Sequence, residues 1–284
     1  MSPAVTVGLP YYNNAPFLAA AIRSVLRQSF SDWELLLVDD GSTDSSIQIA
    51  RSFSDPRIHH ICDGRNIGLA CRLNQISAEA RGQFLFRMDG DDLMHPDRIQ
   101  EQLKFLRAAS ENTVVGTAAI EIDEHSRPCR LLRSRGARAK GYQARRAFLH
   151  PTVAAPTSWF RQNRYSENPL FRRSQDAELW TRAAAHSNFV LIDVPLLFYR
   201  WVAGSSFDKH LWQAMALLKI LSRPESGNRV MRLGHAMLEL TKLQVRFLQE
   251  LRPVVGRRVT EPHSELTHTE YETYAAIIAG ITLS

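Results

Sequence analysis

Residues 83–92 have the sequence Gln-Phe-Leu-Phe-Arg-Met-Asp-Gly-Asp-Asp. The apolar side chains in its first half predict a short buried strand. This strand leads directly into Asp89, Asp91 and Asp92, three carboxylates that repel one another beside a core of low dielectric constant. A hard divalent cation, which prefers oxygen ligands, would offset their charge. The alternative interpretation is an Asp-Gly turn with a solvated acidic edge.

Apolar strands and amphipathic helices alternate on both sides of this segment. Strands are predicted at residues 4–9, 33–38, 57–61 and 84–88, and the helices between and after them at 15–26, 45–50, 69–81 and 96–106. Such alternation predicts an α/β fold, in which right-handed crossovers join the strands of a mostly parallel central sheet flanked by helices. Ligands bind beyond the carboxyl ends of such strands. The polar segments 10–14, 39–44 and 89–92 all fall there.

Capping residues can be assigned to three of the predicted helices. Asn14 is predicted to cap the first helix, and Thr43 or Asp44 the second, because short polar side chains favour the N-cap position. Asp176 is predicted to open a later helix that continues through Ala183.

The second half of the chain has a looser pattern. Residues 126–142 predict a basic loop or ribbon, and order resumes at 150–160. Strands are predicted at 189–192 and 196–201, and largely helical structure at 209–251, broken near 223–224 and 227. The apolar end, residues 275–283, is expected to form a docked terminal helix.

The composition limits the class of protein. A chain of 284 residues with 44% hydrophobic content can bury a sizeable core, as one large domain or as one domain with a C-terminal appendage. The net charge is +6, and residues 127–173 contain twelve basic residues and one acid. This stretch is either a solvated basic face or a binding surface for phosphate or an acidic acceptor. No recognised nucleic-acid-binding motif accompanies the charge, so nucleic acid is not an expected partner.

The cysteines and the N-terminus bear on the compartment. Cys62, Cys71 and Cys129 are an odd number at spacings that fit neither a disulfide framework nor a metal site, so we expect buried thiols in a reducing compartment. The chain lacks a charged and then apolar leader, and no run approaches the ~18 apolar residues of a membrane span. We therefore expect a cytoplasmic protein that at most touches the inner face of the membrane.

Four segments resemble the motifs of family 2 glycosyltransferases, the inverting enzymes with the GT-A fold. These are Leu-Pro-Tyr-Tyr-Asn at 9–13, Leu-Val-Asp-Asp-Gly-Ser-Thr-Asp at 37–44, Arg-Asn-Ile-Gly at 65–68 and Met-Asp-Gly-Asp-Asp at 88–92. The match in spacing and order covers about the first 110 residues. Gln-Asp-Ala-Glu-Leu-Trp at 175–180 and Tyr-Arg at 199–200 extend it to about residue 206. The resemblance implies a glycosyltransferase domain over residues 1–206, followed by a helical extension over 207–284.

The resemblance implies a nucleotide-sugar donor and a metal. The implied nucleotide-binding residues are Pro10, Tyr11, Asn13, Asp39, Asn66 and Asp89. Asp39 is similar to the carboxylate that accepts from the uracil N3–H. Asp91 is similar to the direct ligand of a Mn²⁺ or Mg²⁺ ion that bridges the phosphates of a UDP-sugar and stabilises the leaving group. Asp89 is similar to the residue on the ribose and metal side.

Inverting transfer also needs a base that takes the proton of the attacking acceptor hydroxyl. The family supplies it from a Glu-Asp pair at a helix start, which Gln175 and Asp176 match here, so Asp176 is the predicted base. A helix N-terminus favours the carboxylate form. A plain capping role is the alternative. Weaker acceptor-side candidates are His150, Gln175 and Trp180, the last of which core packing would also explain.

The chain departs from the family pattern after Tyr199. Family members often have a histidine three residues later that can complete the metal shell, whereas this chain continues Arg200-Trp201-Val202. His210 lies nearby in sequence, but a lone histidine is more often structural than a ligand. Metal binding would then depend on Asp91, water and the diphosphate.

These features together predict a metal-dependent inverting glycosyltransferase. It would move a hexosyl or N-acetylhexosaminyl group from a UDP-sugar to a saccharide or lipid-linked saccharide during synthesis of a cell-surface polysaccharide or glycoconjugate. A dTDP-sugar is the alternative donor, because the thymine N3–H would suit Asp39 equally. A non-catalytic nucleotide-sugar-binding module is the alternative from another class.

Overall fold

The computed structural model describes residues 2–134, 147–201, 207–222, 233–234, 236–238, 240–241 and 264–282. The first half consists of β1 (Val5–Tyr11), α1 (Ala15–Leu26), β2 (Trp33–Asp39), α2 (Ser46–Arg51), β3 (Ile58–Ile61), α3 (Leu69–Glu79), β4 (Phe84–Arg87), β5 (Leu93–Met94) and α4 (Arg98–Ala108). The second half consists of β6 (Thr113–Ile122), β7 (Pro128–Leu132), β8 (Ala154–Pro156), α5 (Thr157–Gln162), α6 (Gln175–Ala183), β9 (Asn188–Arg200), α7 (Phe207–Leu221), β10 (Ser264–Glu265) and α8 (His268–Thr282). The predicted α/β class is confirmed.

One sheet organises these elements, in the order β10-β7-β6-β8-β4-β1-β2-β3, with β9 paired to β5 and β6. Strands β4, β1, β2 and β3 are parallel, as predicted. The other half is mixed, because β8 runs antiparallel to both β4 and β6. The predicted ribbon after residue 126 includes β7, which pairs antiparallel with β6, and its residues 135–142 lie outside the described part.

The parallel strands β1, β2 and β4 are mostly apolar because helices cover both faces of the sheet. Val5, Val7 and Leu9 of β1 pack with Leu18 and Ile22 of α1 in one core. Leu36 and Val38 of β2 pack with Leu73 and Ile76 of α3 in a second core on the other face. Helix α3 approaches so closely that a Cβ at Gly8 would lie 2.4 Å from Cγ2 of Ile76. Because β1, β2, β3 and β4 run parallel, their carboxyl ends all lie at the same edge of the sheet.

The predicted helix caps are partly wrong. Asn14 occupies the N-cap position of α1, but its Oδ1 accepts from the amide of Tyr12 and makes no capping bond. The N-cap of α2 is Ser45, while Asp44 accepts from the amide of Ser46. Helix α6 begins at Gln175 after an N-cap at Ser174. Asn14 and Asp44 instead accept from amides of neighbouring turns, Asn14 from Tyr12 and Asp44 from Ala15.

The C-terminal segment returns to the sheet. Strand β10 pairs antiparallel with β7, and Ile278 and Ile281 of α8 pack with Leu93, Ile120 and Phe198. The docked terminal helix is therefore confirmed over residues 268–282. Helix α7 supports the helical prediction after residue 207, whereas the predicted break near 223–227 lies outside the described residues.

The exposure of the cysteines and the length of the apolar helices can be compared with the predictions. Cys62 and Cys129 are exposed and Cys71 is half-buried, so the expectation of buried thiols is wrong. Cys62 directly follows β3, which lies at the sheet edge, and Cys129 lies on β7, away from the two cores. Within the described ranges, no helix is both long enough and apolar enough to cross a membrane.

Candidate active site

The parallel register brings three polar turns together at one edge of the sheet. Tyr11, the last residue of β1, is paired with Asp39, the last residue of β2. The amide of Asp40 donates to the carbonyl of Tyr11 at 2.9 Å, and the amide of Met88 donates to the carbonyl of Gly8 at 3.1 Å. The turns after β1, β2 and β4 consequently start side by side, as the sequence predicts.

Asn13 ties the turn after β1 to the turn after β2. Its Oδ1 accepts from the amide of Thr43 at 2.8 Å, and its own amide donates to Oγ of Ser42 at 3.0 Å. These bonds hold Asn13 at φ 50°, in the left-handed region that costs a non-glycine residue free energy. The predicted nucleotide contact of Asn13 would therefore share this side chain with a structural role.

Asp39 is fully buried and anchors its own turn. Its carboxylate accepts from the amides of Gly41, at 2.9 Å, and Ser42, at 3.1 Å. Gly41 has φ 75°, and a Cβ there would lie 2.8 Å from backbone atoms of Arg65 and Asn66, so only glycine fits without a shift. A carboxylate offers about four lone-pair directions, which leaves acceptor capacity for a ligand at Asp39.

Asp40 fixes the third loop of the nucleotide side. Its Oδ1 accepts from the amide of Ile67 at 2.9 Å and from Nε of the fully buried Arg72 at 3.1 Å. Asn66 donates from Nδ2 to the carbonyl of Asp40 at 2.9 Å, so its amide also holds this loop. The sequence analysis missed Asp40 and Arg72 as organising residues. The Asp-Asp doublet at 39–40 was the available indication.

Pro10 and Tyr11, which the resemblance implies as nucleotide-binding residues, point into the protein. Both side chains are buried, and burial and the nearby Asp39 carboxylate raise the pKa of the Tyr11 phenol. The next residue, Tyr12, is 48% exposed. Tyr12, which lies inside the Pro-Tyr-Tyr-Asn segment of the resemblance, is thus an aromatic ring that a ligand at this edge could reach.

The turn after β4 has the chemistry of a cation site. Asp89, Asp91 and Asp92 each offer a carboxylate oxygen within 4.8 Å of the others. Burial and then the Asp89 charge raise the pKa of Asp91 to about 6. Burial and then the Asp91 charge raise the pKa of Asp92. Oδ2 of Asp92 is buried without a hydrogen-bond partner among the described residues. Crowded oxygen ligands and an unpartnered buried oxygen fit a divalent cation.

Arg200 holds this turn from the end of β9. Its amide donates to Oδ1 of Asp92 and its Nε to the carbonyl of Asp91, both at 2.8 Å. Its guanidinium also donates to the carbonyl of Asp123 at 2.6 Å and lies over the ring of Phe17, 4.4 Å from the centroid. Residue 202, where the family often has histidine, and the side chain of residue 210 lie outside the described part.

Arg87 is a second arginine that the sequence analysis did not assign to the site. It is the last residue of β4, and its guanidinium binds the Asp89 carboxylate through two contacts, Nη1–Oδ2 at 2.7 Å and Nη2–Oδ1 at 2.5 Å. The arginine side chain is 4% exposed and that of Asp89 28%. A charged residue inside an otherwise apolar buried strand was the indication of this pair.

Asp176 is half-buried in the first turn of α6. Burial raises its pKa, although the amide of Ala177 and the charge of Arg87 lower it and Asp89 adds to the rise. The net direction is opposite to the one expected from a helix N-terminus alone, because desolvation disfavours the charged form more strongly here. The charges of Arg87 and Asp89 both act on the Asp176 carboxylate, so the first turn of α6 lies within electrostatic range of the turn after β4.

The weaker acceptor-side candidates lie deeper. His150 is 9% exposed, its Nε2 is 2.8 Å from the Tyr165 hydroxyl, and burial and then Arg87 lower its pKa. Gln175 is 8% exposed. Trp180 is fully buried and packs edge-on against Phe148 at 5.6 Å, so the alternative of core packing applies to it.

Comparisons with known proteins agree with this geometry. The model of the family Glycosyl transferase family 2 matches residues 6–168. EpsE of Bacillus subtilis (strain 168), named as a glycosyltransferase, is 37% identical over 188 residues, which cover 63% of this chain and 66% of EpsE. TuaG of the same organism, named for teichuronic acid biosynthesis, is 34% identical over 110 residues, which cover 38% of this chain and 44% of TuaG. The chain thus spans less than two thirds of either relative.

Two solved structures share the fold. S. aureus TarS residues 1–349 in complex with UDP superposes with a TM-score of 0.59 at 17% identity, covering 80% of this chain and 68% of that chain. The mannosyltransferase PcManGT from Pyrobaculum calidifontis, in complex with GDP-Man and Mn²⁺, superposes with a TM-score of 0.60 at 16% identity, covering 99% and 85%. At these identities the likeness establishes the fold, and the predicted GT-A type is confirmed. The family model also matches more than half of the residues of this chain, so the chain belongs to glycosyltransferase family 2.

Proposed function

We propose that this protein is a metal-dependent inverting glycosyltransferase that moves a hexosyl or N-acetylhexosaminyl group from a UDP-sugar to a saccharide or lipid-linked saccharide. The observation that carries the proposal is the meeting of two groups at one sheet edge. The cation-type turn with Asp91 would supply a place for the donor phosphates. The Asp176 carboxylate of α6 lies within electrostatic range of Arg87 and Asp89 at that turn. Polysaccharide or glycoconjugate synthesis is the proposed setting, in line with the name of TuaG.

On the donor side, the chain presents turns that are already held together. Hydrogen bonds connect Asn13 to the turn at 42–44 and Asp40 to the loop at 66–68 before any ligand binds. Such pre-organisation lowers the entropic cost of binding. We propose that Asp39 accepts from the N3–H of uracil, with thymine of a dTDP-sugar as the alternative, and that the accessible Tyr12 ring supports the base.

On the metal side, Asp91 and Asp92 would hold a divalent ion, Mn²⁺ or Mg²⁺. The ion would stabilise the charge that develops on the leaving diphosphate. The protein's part is to keep the ligands in place, which Arg200 does by binding the carbonyl of Asp91 and the carboxylate of Asp92.

On the acceptor side, Asp176 is the proposed base. The environment that raises its pKa also makes its carboxylate a better proton acceptor. Glu178, the next carboxylate of α6, is 2% exposed and paired with Arg182 at 3.1 Å, so it is less suited to that role. His150 is enclosed beside Tyr165.

The acceptor is proposed to carry a negative charge, as an acidic sugar or a lipid pyrophosphate. In the basic stretch, the described arginines 127, 130, 133 and 164 pair with carboxylates. Arg172 and Arg173 are exposed, have no ion-pair partner among the described residues, and directly precede α6. They are the arginines best placed to meet an anionic acceptor near Asp176.

Peripheral contact with the inner face of the membrane is part of the same proposal. The segment 233–241 exposes apolar side chains in its described positions: Leu233, Met237, Leu238 and Leu240. An exposed apolar segment on a chain of net charge +6 suits an anionic lipid surface that presents a lipid-linked acceptor.

The first prediction concerns turnover. UDP should be released from at least one member of a panel of UDP-sugars in the presence of Mn²⁺, measured by a coupled UDP assay. A dTDP-sugar panel run in parallel tests the alternative donor. If UDP binds by calorimetry but no sugar nucleotide of either panel is consumed, the chain is a binding module and the enzyme proposal fails.

The second prediction concerns the metal. Asp91→Asn should lower transfer about 100-fold or more, because a charged oxygen ligand and the stabiliser of the leaving group are lost. EDTA should have the same effect on the unmodified protein. Asp97→Asn, at an exposed N-cap of α4 without a capping bond, is the matched control and should leave transfer unchanged. Transfer that survives EDTA would exclude metal dependence.

The third prediction concerns the base. Asp176→Asn should lower transfer about 100-fold or more, while the affinity for UDP-sugar stays within about twofold. The N-cap of α6 is Ser174, so the helix start is preserved. Because burial raises the pKa of Asp176, its ionisation opposes folding at neutral pH, and the variant should melt at the same temperature or higher. A variant that still transfers would move the base elsewhere.

The fourth prediction concerns the acceptor. Salt should raise the acceptor KM steeply, and the double variant Arg172→Gln/Arg173→Gln should raise it at low salt and flatten the salt dependence, with kcat unchanged. Arg164→Gln, which removes an exposed arginine already paired with Glu167, is the control. Salt-independent acceptor binding would contradict the anionic acceptor.

The membrane contact is tested separately. The protein should sediment with vesicles that contain phosphatidylglycerol, and absence of sedimentation would contradict the membrane contact.

A further inference from the structure

Arg87 occupies an unusual place for a charged side chain. It ends the buried strand β4, whose other residues, Phe84, Leu85 and Phe86, are apolar. Its position is fixed by the backbone, because its amide donates to the carbonyl of Val153 at 3.0 Å and its carbonyl accepts from Nη2 of Arg98 at 2.9 Å. The backbone of Arg87 is therefore held in place where the turn to Asp89 begins.

Both oxygens of Asp89 are engaged by this guanidinium, at 2.5 and 2.7 Å. Such a two-pronged pair fixes the plane of the carboxylate as well as its position. The negative charge of Asp89 is thereby offset, and Asp91 and Asp92 remain as the carboxylates that attract a cation. The fixed positive charge of Arg87 also opposes the approach of a second positive charge to Asp89.

We propose that Arg87 is a positioning residue that reserves Asp89 for the nucleotide and keeps it out of the metal's ligand shell. The free protein then binds a divalent ion weakly, and the ion binds well only together with the diphosphate of the donor. The inference rests on the proposed function, since it assigns Asp89 to a nucleotide and Asp91 to a metal. Arg87 lies outside the sequence motifs, and its role would make metal binding depend on prior or simultaneous binding of the nucleotide.

The test is direct binding to the variant Arg87→Met, which keeps an unbranched side chain and removes the charged guanidinium. With no nucleotide present, Mn²⁺ affinity, measured by electron paramagnetic resonance, should rise at least about fivefold, because Asp89 becomes a free ligand. With EDTA present, UDP affinity, measured by calorimetry, should fall about tenfold, because Asp89 loses its fixed orientation. Opposite changes in the two affinities are the expected signature, since general damage to the site would weaken both.

Arg81→Met is the matched control. Arg81 also pairs with a buried carboxylate, Glu34, at 2.6 Å. That pair lies near the amino end of β2, at the opposite end of the sheet from Asp39. Its loss should lower the melting temperature without changing either affinity. If Mn²⁺ affinity in Arg87→Met is unchanged or lower, the proposal is wrong.

A second variant covers the case in which Arg87→Met does not fold. The double variant Arg87→Met/Asp89→Asn removes both charges together, a replacement that buried ion pairs often tolerate. It should bind Mn²⁺ within about threefold of the unmodified protein, because the removed pair was neutral and Asp89 was not a ligand. A loss of tenfold or more would make Asp89 a metal ligand and overturn the proposal. Absence of sugar transfer in the unmodified protein would refute the proposed function and leave these binding results unaffected.

Discussion

The structure depends on the concentration of negative charge at the carboxyl end of β4. Asp89, Asp91 and Asp92 follow a strand that is buried on both faces, and Asp176 approaches from α6. Carboxylates this close to a low-dielectric core are stable only if positive charge or hydrogen bonds accompany them. Arg87 supplies positive charge by binding Asp89. Arg200, at the end of β9, supplies both positive charge and hydrogen bonds to the turn. A divalent ion would complete the balance.

The parallel sheet could be predicted from the sequence because its strands are covered on both faces. Near-continuous apolar runs at 5–11, 33–39 and 84–87 are typical of such strands, and the intervals between them fit crossover helices. The second half could not be predicted in the same way. Strand β8 has three residues and runs antiparallel between β4 and β6, and so short a strand has no periodicity of its own.

The candidate site was predictable in its motifs and less so in its contacts. The three polar strand ends and the Asp-Gly-Asp turn follow from local sequence. Asp40, Arg72 and Arg87 act through specific ion pairs and hydrogen bonds. The local sequence marks Asp40 and Arg87 as unusual, but it does not identify their partners, and Arg72 binds Asp40 across 32 positions of the chain. The helix caps and the pKa of Asp176 could not be predicted for the same reason. Both depend on neighbouring groups and on burial, which only the folded chain defines.

The charge balance also couples the site to the stability of the fold. The pKa of Asp91 is raised to about 6 in the folded protein, above its ordinary value. A carboxyl group with a raised pKa stabilises the folded state while it is protonated, and this contribution is lost as the pH rises through the folded value. At neutral pH the turn therefore opposes folding by its own charge, and a bound cation removes that cost. The same crowding that makes the turn a good metal site makes it a poor structural element without one, which accounts for the two buried arginines that hold it from β4 and β9.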